Sequence, residues 1–280
     1  MLLNDFSLIY TLGPQGTFSD QATQKVRSSG IGVNYTSTFV EAMLKVREDL
    51  NSVAVVPVEN SVAGTVAQVQ DSLVRNNLVI IAEINLLIEY ALLANAELET
   101  VESFFVHPQA LEQSSEFISN NLSQAQSILT RSNIDSGIKF LESVNSQKLP
   151  VAAVVPLSFA EDKFKWKIAS GIQDYQNNTT RFLVVRSRKE NEIPDFSRKK
   201  TSLLIELNND RSGLLYDLLS VFNLFNINLC RLESRPAKDT PWAYVFYVDF
   251  YNSNQTEACI DVLRVSNFRY KVLGSYDLVN

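Results

Sequence analysis

The composition of the chain restricts the side chains that could carry chemistry. Its 280 residues include one histidine, His107, and two cysteines, Cys230 and Cys259. A cysteine–histidine metal site takes four ligands of these types, so this inventory argues against one. Two cysteines are also too few for a disulfide framework, and we expect both thiols to be buried and reduced. Any reaction must therefore rely on hydroxyls, amides and charged groups.

Polar residues follow a predicted buried strand at residues 53–57. Glu59, Asn60 and Ser61 come after it, and ligands of α/β sheets bind beyond the carboxyl ends of strands. Asn60 could donate an amide hydrogen to a ligand, and Ser61 could donate a hydroxyl. Residues 64–65 could begin a helix whose free N–H groups favour anions. The alternative is that Asn60 and Ser61 only close a turn.

A second candidate is the glycine-containing loop at residues 13–17. It joins a predicted strand at residues 7–11 to a helix that we expect Ser19 to cap. The glycines permit a tight turn and a close approach of the backbone to a ligand. Thr17 and the following helix N-terminus could hold a carboxylate. The spacing differs from Gly-x-Gly-x-x-Gly, so the loop is not a dinucleotide fingerprint.

The elements that would position these residues alternate between strands and helices up to about residue 187. This alternation predicts parallel sheets with helical crossovers. The apolar stretch at residues 78–94, interrupted by Glu83, Asn85 and Glu89, could form two strands that cross from one lobe to another. We therefore expect two α/β lobes with a ligand cleft between them; one continuous sheet is the alternative. Further strands are predicted at residues 103–106, 126–130 and 151–155, with helices at 19–29, from 38, 109–122, 134–144 and 157–164.

The C-terminal part of the chain has a different order of elements. Residues 188–199 are polar and aperiodic, which is typical of a linker. The patterns beyond them predict a ferredoxin-like β-α-β-β-α-β arrangement, and we expect this small unit to self-associate. Its strands are predicted at residues 201–207, 228–235, 242–250 and 270–276, and its helices at 212–225 and 254–268.

The charge of the chain bears on its partners and location. The formal net charge of −6 argues against a nucleic-acid partner, because phosphate binding needs a basic patch. The first ten residues lack a basic start and contain Asn4 and Asp5, unlike a signal peptide. No apolar run reaches the roughly 18 residues of a membrane helix. We expect a cytoplasmic protein that does not bind membranes.

Six segments resemble, in order, the motifs of prephenate dehydratases that carry a C-terminal ACT regulatory domain. They are residues 10–19, 56–65, 106–113, 178–182, 210–215 and 233–236. The resemblance implies a catalytic domain at residues 1–187, a linker at 188–199 and an ACT domain at 200–280. It also implies two catalytic lobes like those of periplasmic binding proteins. Lobe one would comprise about residues 1–83 plus 175–187, and lobe two about residues 84–174.

The resemblance also implies an activity and a set of site residues. This family converts prephenate to phenylpyruvate, water and carbon dioxide without a cofactor. Thr180 would be the catalytic residue that hydrogen-bonds the departing ring hydroxyl, and Asn60 a second catalytic donor. His107 is expected to be a structural hydrogen bonder. The predicted substrate-binding residues are Thr17, Glu59, Ser61, Gln113, Arg181 and Phe182.

The role of Arg181 is open between two alternatives. Successive strand residues point to opposite faces. If Thr180 and Phe182 face the cleft, Arg181 faces away from it unless the strand twists or ends there. Arg181 would then either bind a substrate carboxylate or brace the segment that holds Thr180.

Regulation is the second property that the resemblance implies. ACT domains of this family pair and bind phenylalanine at the seam, which predicts feedback inhibition by L-phenylalanine and a homodimer or homotetramer formed through the ACT and catalytic domains. Leu214 and Ser212 replace a smaller residue and a proline of the family motif, which leaves ligand affinity and choice open. The matching allosteric positions are Gly213, Leu214, Leu215, Glu233, Ser234, Arg235 and Pro236.

Two other functions compete with this prediction. An arogenate dehydratase would act on a substrate with an amino group in place of the keto group, and Thr179, beside Thr180, could influence that choice. A non-catalytic ligand sensor would combine the cleft with an ACT domain. A transcriptional sensor would also need a DNA-binding helix pair or a basic stripe, and the sequence indicates neither.

Overall fold

The protein forms two lobes and a C-terminal unit. A computed structural model describes residues 3–146, 149–161, 163, 165–207, 211–237, 243–266 and 268–279. Within those ranges, the longest helices are too short or too polar to cross a bilayer. The predicted two-lobed α/β architecture is confirmed, because the lobes have separate sheets.

Lobe one contains a mixed sheet flanked by helices. Its strands run in the order β5-β11-β3-β1-β2, and β1 pairs with β2 and with β3 in parallel. The carboxyl ends of β1 and β3 therefore meet at one edge of the sheet. Its elements are β1 (Leu8–Leu12), α1 (Phe18–Val26), β2 (Gly32–Thr36), α2 (Phe39–Glu48), β3 (Ser52–Asn60), β4 (Gly64–Thr65), α3 (Ala67–Arg75), β5 (Leu78–Leu87) and β11 (Thr179–Ser187).

Lobe two has a five-stranded sheet in the order β10-β6-β9-β7-β8. The chain enters it after β5 ends at Leu87, a few residues beyond the predicted crossing at residues 83–84. Its elements are β6 (Tyr90–Ala94), β7 (Ser103–Val106), α4 (Pro108–Gln113), α5 (Ser115–Asn121), β8 (Gln126–Leu129), α6 (Asn133–Asn145), β9 (Val151–Pro156), α7 (Leu157–Ala160) and β10 (Lys167–Ser170).

Strand β11 returns the chain from lobe two to lobe one. It inserts between β3 and β5 and is antiparallel to both. Its first residues therefore lie at the same sheet edge as the last residues of β3, and Thr180 is directly opposite Asn60. This pairing brings together two polar segments that are 120 residues apart in the sequence.

The C-terminal unit has the predicted β-α-β-β-α-β order. Its antiparallel sheet has the strand order β13-β14-β12-β15. Apolar residues of one face pack with both helices, and Leu204, Tyr247 and Tyr276 of the other face pack against lobe one. Its elements are β12 (Lys200–Glu206), α8 (Leu214–Leu224), β13 (Leu229–Pro236), β14 (Tyr244–Tyr251), α9 (Thr256–Val265) and β15 (Arg269–Val279).

The C-terminal unit also continues the sheet of lobe one. Residues Asp277 to Val279 of β15 pair in parallel with Ala82 to Ile84 of β5. Gly274 permits the close approach, because a Cβ at this position would lie 2.3 Å from the carbonyl oxygen of Ile80. The two sheets therefore join through backbone hydrogen bonds as well as side chains.

Local chemistry corrects three sequence predictions. Thr17, not Ser19, caps α1, because its Oγ1 accepts the N–H of Asp20 at 3.3 Å. The helix predicted at residues 109–122 is broken into α4 and α5 at Ser114. Residues Gly64–Thr65 form a short strand paired with the end of β3, and α3 begins two residues later.

Some predicted features fall partly outside the described residues. These are the end of the helix at 157–164, the start of the strand at 242–250, residue 267 of the last helix, and Asp210 of the motif at 210–215. Four of the described elements were not predicted from the sequence: strands β2, β4 and β10, and a 3-10 helix at Leu98–Thr100. Strand β2 lacks the continuous apolar pattern of a buried strand, since its five residues are half-buried or exposed except Thr36.

Candidate active site

A cavity of about 330 Å³ lies between the two lobes. Lobe one contributes the ends of β1 and β3, the start of α1 and the start of β11. Lobe two contributes β6 and the starts of α4 and α6. Five predicted site residues line the cavity: Thr17, Asn60, Gln113, Thr180 and Phe182.

Thr180 and Asn60 form a hydrogen-bonded pair at the base of the cavity. Both residues are buried, with 9% and 5% of their surfaces exposed. Asn60 Oδ1 accepts the backbone N–H groups of Val62 and Ala63 at 3.0 and 2.8 Å. Its Nδ2 must therefore be the donor, and it lies 2.8 Å from Thr180 Oγ1. Because Thr180 Oγ1 accepts this bond, its own O–H hydrogen is available to a ligand.

A chain of amide groups extends from this pair into lobe two. Asn60 Nδ2 also donates to Asn178 Oδ1 at 2.7 Å, and Asn178 Nδ2 donates to Gln113 Oε1 at 3.0 Å. Tyr90 donates to the same oxygen at 3.2 Å. Burial raises the pKa of Tyr90, although a hydrogen bond with Asn133 opposes the shift, so the phenol stays protonated.

This chain fixes the orientation of Gln113. Because Oε1 accepts two hydrogen bonds, Nε2 is the end of the side chain that remains to donate. That nitrogen is buried and finds no acceptor among the described residues, and Gln113 lines the cavity. A buried donor without a partner is costly, so a ligand acceptor in the cavity would relieve the cost. The site therefore presents two neutral donors, Thr180 Oγ1 and Gln113 Nε2.

Three helix N-termini border the cavity. Thr17 caps α1, His107 Nδ1 accepts the N–H of Gln109 at 3.4 Å at the start of α4, and Ser132 Oγ accepts the N–H of Asp135 at 3.0 Å in α6. The first N–H groups of a helix lack intrahelical acceptors and carry partial positive charge. Caps from both lobes therefore favour an anionic ligand at the lobe interface.

The charge of the lining has one sign. Arg131, just before α6, lines the cavity, and no Asp or Glu does so among the described residues. His107 also lines it, and burial lowers the pKa of its imidazole, which keeps the ring neutral at pH 7. The cavity thus combines neutral donors with a single guanidinium, a combination suited to a carboxylate ligand.

The family model for prephenate dehydratase matches residues 9–190, which span lobe one, lobe two and the cavity between them. The chain belongs to the prephenate dehydratase family. The chain is 30% identical over 276 residues to prephenate dehydratase of Methanocaldococcus jannaschii, covering 96% of this chain and 97% of that protein.

Solved structures agree with this assignment. Prephenate dehydratase of Staphylococcus aureus superposes with a TM-score of 0.82 at 30% identity and covers 97% of this chain and 100% of that one. Prephenate dehydratase of Arthrobacter aurescens, solved in complex with L-Phe, superposes with a TM-score of 0.80 at 27% identity. The match covers 96% of this chain and 90% of that one. The chain is accordingly a lyase that dehydrates and decarboxylates prephenate to phenylpyruvate.

Three predicted substrate-binding residues of this prephenate dehydratase lie outside the cavity. Glu59 and Arg181 are neighbours of Asn60 and Thr180 on paired strands, so they point to the opposite face. Arg181 Nη1 lies 3.6 Å from Glu59 Oε2. Ser61 Oγ accepts the N–H of Thr179 at 2.9 Å and closes the junction of β3 and β11. None of these three residues is among the cavity-lining residues, and their predicted contact with substrate stays a prediction.

The predicted allosteric residues lie in two segments of the C-terminal unit. Gly213 precedes α8 with φ = 81°, a left-handed conformation that favours glycine, followed by Leu214 and Leu215. Ser234, Arg235 and Pro236 end β13. Glu233 departs from the expected pocket edge, because its Oε2 accepts hydrogen bonds from Thr65 at 2.8 Å and Gln70 at 3.2 Å in lobe one.

Sequence reasoning missed part of the site. Asn178 was within a recognised motif, and an asparagine just before a buried strand could have signalled its part in the amide chain. Tyr90 lies in a long apolar run, where an aromatic residue reads as core. Arg131 lies just before α6 and Asn133 is the first residue of this helix, and only the placement of α6 beside the cavity identifies them.

Proposed function

We propose that the cavity between the lobes is where prephenate reacts, with Thr180 as the donor to the departing ring hydroxyl. One observation carries this proposal: Asn60 Nδ2 donates to Thr180 Oγ1, which leaves the threonine hydrogen free to donate to a ligand. A hydroxyl of high pKa is a weak acid in water. In a protected cavity, a positioned donor of this kind contributes roughly 10²–10⁴ in rate.

The bond changes define what the cavity must supply. The carbon–carbon bond to the ring carboxylate breaks and its electron pair enters the ring. The ring carbon–oxygen bond breaks, and the departing oxygen takes up one proton to leave as water. Carbon dioxide departs and the ring becomes aromatic, which supplies the driving force. The site must therefore hold a dianion and stabilise negative charge that develops on one oxygen.

The polar groups of the cavity match these demands. We assign Thr180 to the departing oxygen, with Asn60 orienting the Thr180 hydroxyl, and Gln113 Nε2 with the start of α1 at Thr17 to the anionic groups of the substrate. Phe182, which is buried and lines the cavity, would pack on the ring. Arg131 would bind a carboxylate from the side of lobe two.

The charge of the lining favours prephenate over arogenate. The side chain of arogenate carries an ammonium group, and a buried ammonium needs a carboxylate or a set of acceptors. The described lining contains no carboxylate, and its one charged side chain, Arg131, would repel the ammonium. Asn133 Oδ1 is a buried acceptor of this lining without a hydrogen-bond partner in the described part of the chain, but one amide oxygen does not make a set of acceptors. The keto acid side chain of prephenate meets no such cost.

We also propose that the C-terminal unit is an ACT domain that binds L-phenylalanine and lowers turnover. The β-α-β-β-α-β order, the left-handed Gly213 before α8 and the relative solved with L-Phe support this proposal. A Cβ at Gly213 would meet no atom within 4 Å, so the glycine serves the backbone conformation there. A homodimer or homotetramer and a cytoplasmic location complete the proposal. The expected burial of both cysteines is correct for Cys259 and wrong for Cys230, which is exposed.

A turnover assay with three variants tests the catalytic assignment. Prephenate is incubated with the chain and phenylpyruvate is measured by its absorbance in alkali. Thr180→Val removes the hydroxyl at nearly constant volume, and we expect kcat to fall on the order of 10²–10⁴-fold. Thr180→Ser should keep most of the activity.

The matched control is Thr179→Val. Thr179 precedes Thr180 on the same strand, but its hydroxyl donates to the carbonyl of Asn177 at 3.2 Å and it does not line the cavity. This variant should turn over prephenate at close to the original rate. Normal turnover by Thr180→Val would refute the assignment, and binding of prephenate without turnover by the unaltered chain would favour the ligand sensor.

A further inference from the structure

The reverse side of the β3–β11 pair carries a cluster of charged groups that the reaction does not use. Arg181 is its centre. Its Nε lies 2.7 Å from Glu83 Oε2 on β5, its Nη1 lies 2.6 Å from Asp249 Oδ2 on β14, and its Nη2 donates to the Tyr276 hydroxyl on β15 at 2.9 Å. Only 12% of the side chain is exposed. A residue of the recognised motif at 178–182 is thus held by two strands of the C-terminal unit.

Two more cations join lobe one to the C-terminal unit. Lys200 Nζ lies 2.8 Å from Glu83 Oε1. Arg231 of β13 contacts three residues. Its Nε lies 3.3 Å from Glu59 Oε2, and its Nη2 pairs with Glu233 and donates to Thr65 Oγ1 at 3.2 Å. We call these residues the rear cluster: Glu59, Glu83, Arg181, Lys200, Arg231, Glu233, Asp249 and Tyr276.

The guanidinium of Arg181 stays charged within the rear cluster. Burial alone would lower the pKa of Arg181, but Tyr276, Asp249 and Glu83 outweigh it and raise that pKa well above its ordinary value. Buried ion pairs hold a defined geometry, because displacing one member leaves an uncompensated charge. The position of Arg181 is therefore fixed jointly by Glu83 of lobe one and by Asp249 and Tyr276 of the C-terminal unit.

The local strand pairing makes the position of Thr180 depend on that of Arg181. Between Arg181 and Phe182 the register of β11 against β3 shifts by one residue, so that Arg181 faces Glu59 and Phe182 faces Pro57. Such bulges interrupt the regular ladder and set the direction of nearby side chains. The paired residues Thr180 and Asn60 lie directly beyond the bulge. Arg181, which points to the other face of the strand, anchors this end of β11.

We propose that Arg181 is a positioning residue for the dehydration, and that the C-terminal unit acts on turnover through it. The inference rests on the proposed role of Thr180. Arg181 touches no substrate. It holds the first residues of β11 so that the Thr180 hydroxyl meets the departing oxygen, and a movement of β13 or β14 on ligand binding reaches the cavity through Asp249 and Arg231.

The test separates positioning from general stability. Arg181→Met removes the charge and keeps the length of the side chain, and Arg181→Lys keeps the charge. We expect Arg181→Met to lower kcat at least tenfold, with a change in the KM for prephenate of less than about threefold, because donor placement is altered and the anion-binding groups are not. Arg181→Lys should recover part of kcat.

The matched control is Arg186→Met. Arg186 lies on the same strand, is similarly buried and pairs with Glu192, but it is distant from the Thr180–Asn60 pair. We expect this variant to keep its kcat. If Arg181→Met retains kcat, or loses no more than Arg186→Met, the proposal is wrong.

A second variant keeps the proposal testable if Arg181→Met does not fold. This variant is Asp249→Asn. Asp249 lies on β14, outside the cavity, and the substitution preserves the volume of the side chain while removing its charge. Its kcat should also fall, and the response of kcat to L-phenylalanine should weaken compared with the unaltered chain. Full kcat with an unchanged response would overturn the proposal. An unaltered chain that does not turn over prephenate would overturn the assigned function as well, so the two failures are distinguishable.

Discussion

The two faces of the β3–β11 pair differ in the chemistry of their side chains. Asn60 and Thr180 face the cavity with neutral groups in a hydrogen-bonded chain. Glu59 and Arg181, one residue away on each strand, face the C-terminal unit with full charges. Neutral donors are suited to a face where ligands exchange, because removing water from a neutral group costs less free energy than removing it from a charged one. Fixed ion pairs are suited to a face that stays closed. Alternation along a strand thus separates catalysis from anchoring within two residues.

The sharpest test of this comparison exchanges neighbours on one strand. Asn60→Ala removes the donor that orients Thr180, and a misplaced catalytic group can cost about 10²-fold in kcat. Glu59→Ala, on the other face, should change kcat by no more than about threefold, since its carboxylate is partly exposed and such pairs contribute little. Steady-state kinetics of both variants decide the matter. Equal losses would show that the faces do not differ in function.

A second comparison uses the cations of the two faces. Arg131→Ala removes the guanidinium of the cavity, and we expect the KM for prephenate to rise roughly tenfold, equivalent to about 1.4 kcal/mol, with little change in thermal stability. Arg231→Met breaks buried pairs of the rear cluster, and we expect it to lower the free energy of unfolding by about 3 kcal/mol.

The measurements are kinetics and a chemical denaturation curve for each variant. Lys139→Ala is the control for Arg131, because Lys139 is a nearby cation in α6 that pairs with Asp135 at 3.2 Å and does not line the cavity. If Arg131→Ala is destabilised and its KM for prephenate is unchanged, Arg131 has a structural role and does not bind the substrate.

The smallest expected effect concerns pH. Burial lowers the pKa of His107 in the folded protein, whereas the unfolded chain has the ordinary value of about 6.5. The unfolded chain therefore binds the proton more readily, and stability is lost as pH falls from about 6.5 through the folded-state pKa. His107→Gln, which keeps an acceptor for the N–H of Gln109, should flatten this loss. Thermal melts between pH 7.5 and 5.5 measure it, and parallel curves for both proteins would contradict the assignment.

The fold followed from sequence where local rules and tertiary packing agreed. Alternating apolar runs predicted both lobes and the C-terminal unit, and the interrupted run at residues 78–94 did form two strands, β5 and β6. The rules failed where a tertiary contact decided the outcome. Strand β2 is stabilised by pairing with β1 and carries little apolar signal of its own.

The site was predictable in part for a related reason. Motif positions identified Thr180, Asn60 and Gln113, which the cavity brings together. Strand alternation argued that Arg181 faces away from Thr180, yet the motif placed it with the substrate. Its true partners, Glu83, Asp249 and Tyr276, lie on three other strands. No sequence spacing relates those strands, so only the packed structure shows what Arg181 contacts.

The parallel pairing of β15 with β5 limits how independent the parts of the chain are. Residues 277–279 supply the outer neighbour of β5, whose ten residues are largely apolar. A shortened chain without the C-terminal unit would leave that strand with a bare edge, the type of surface on which other chains add by strand pairing. The unit therefore also protects lobe one from aggregation. It is not an exchangeable module, because any replacement would have to deliver a terminal strand in the same register.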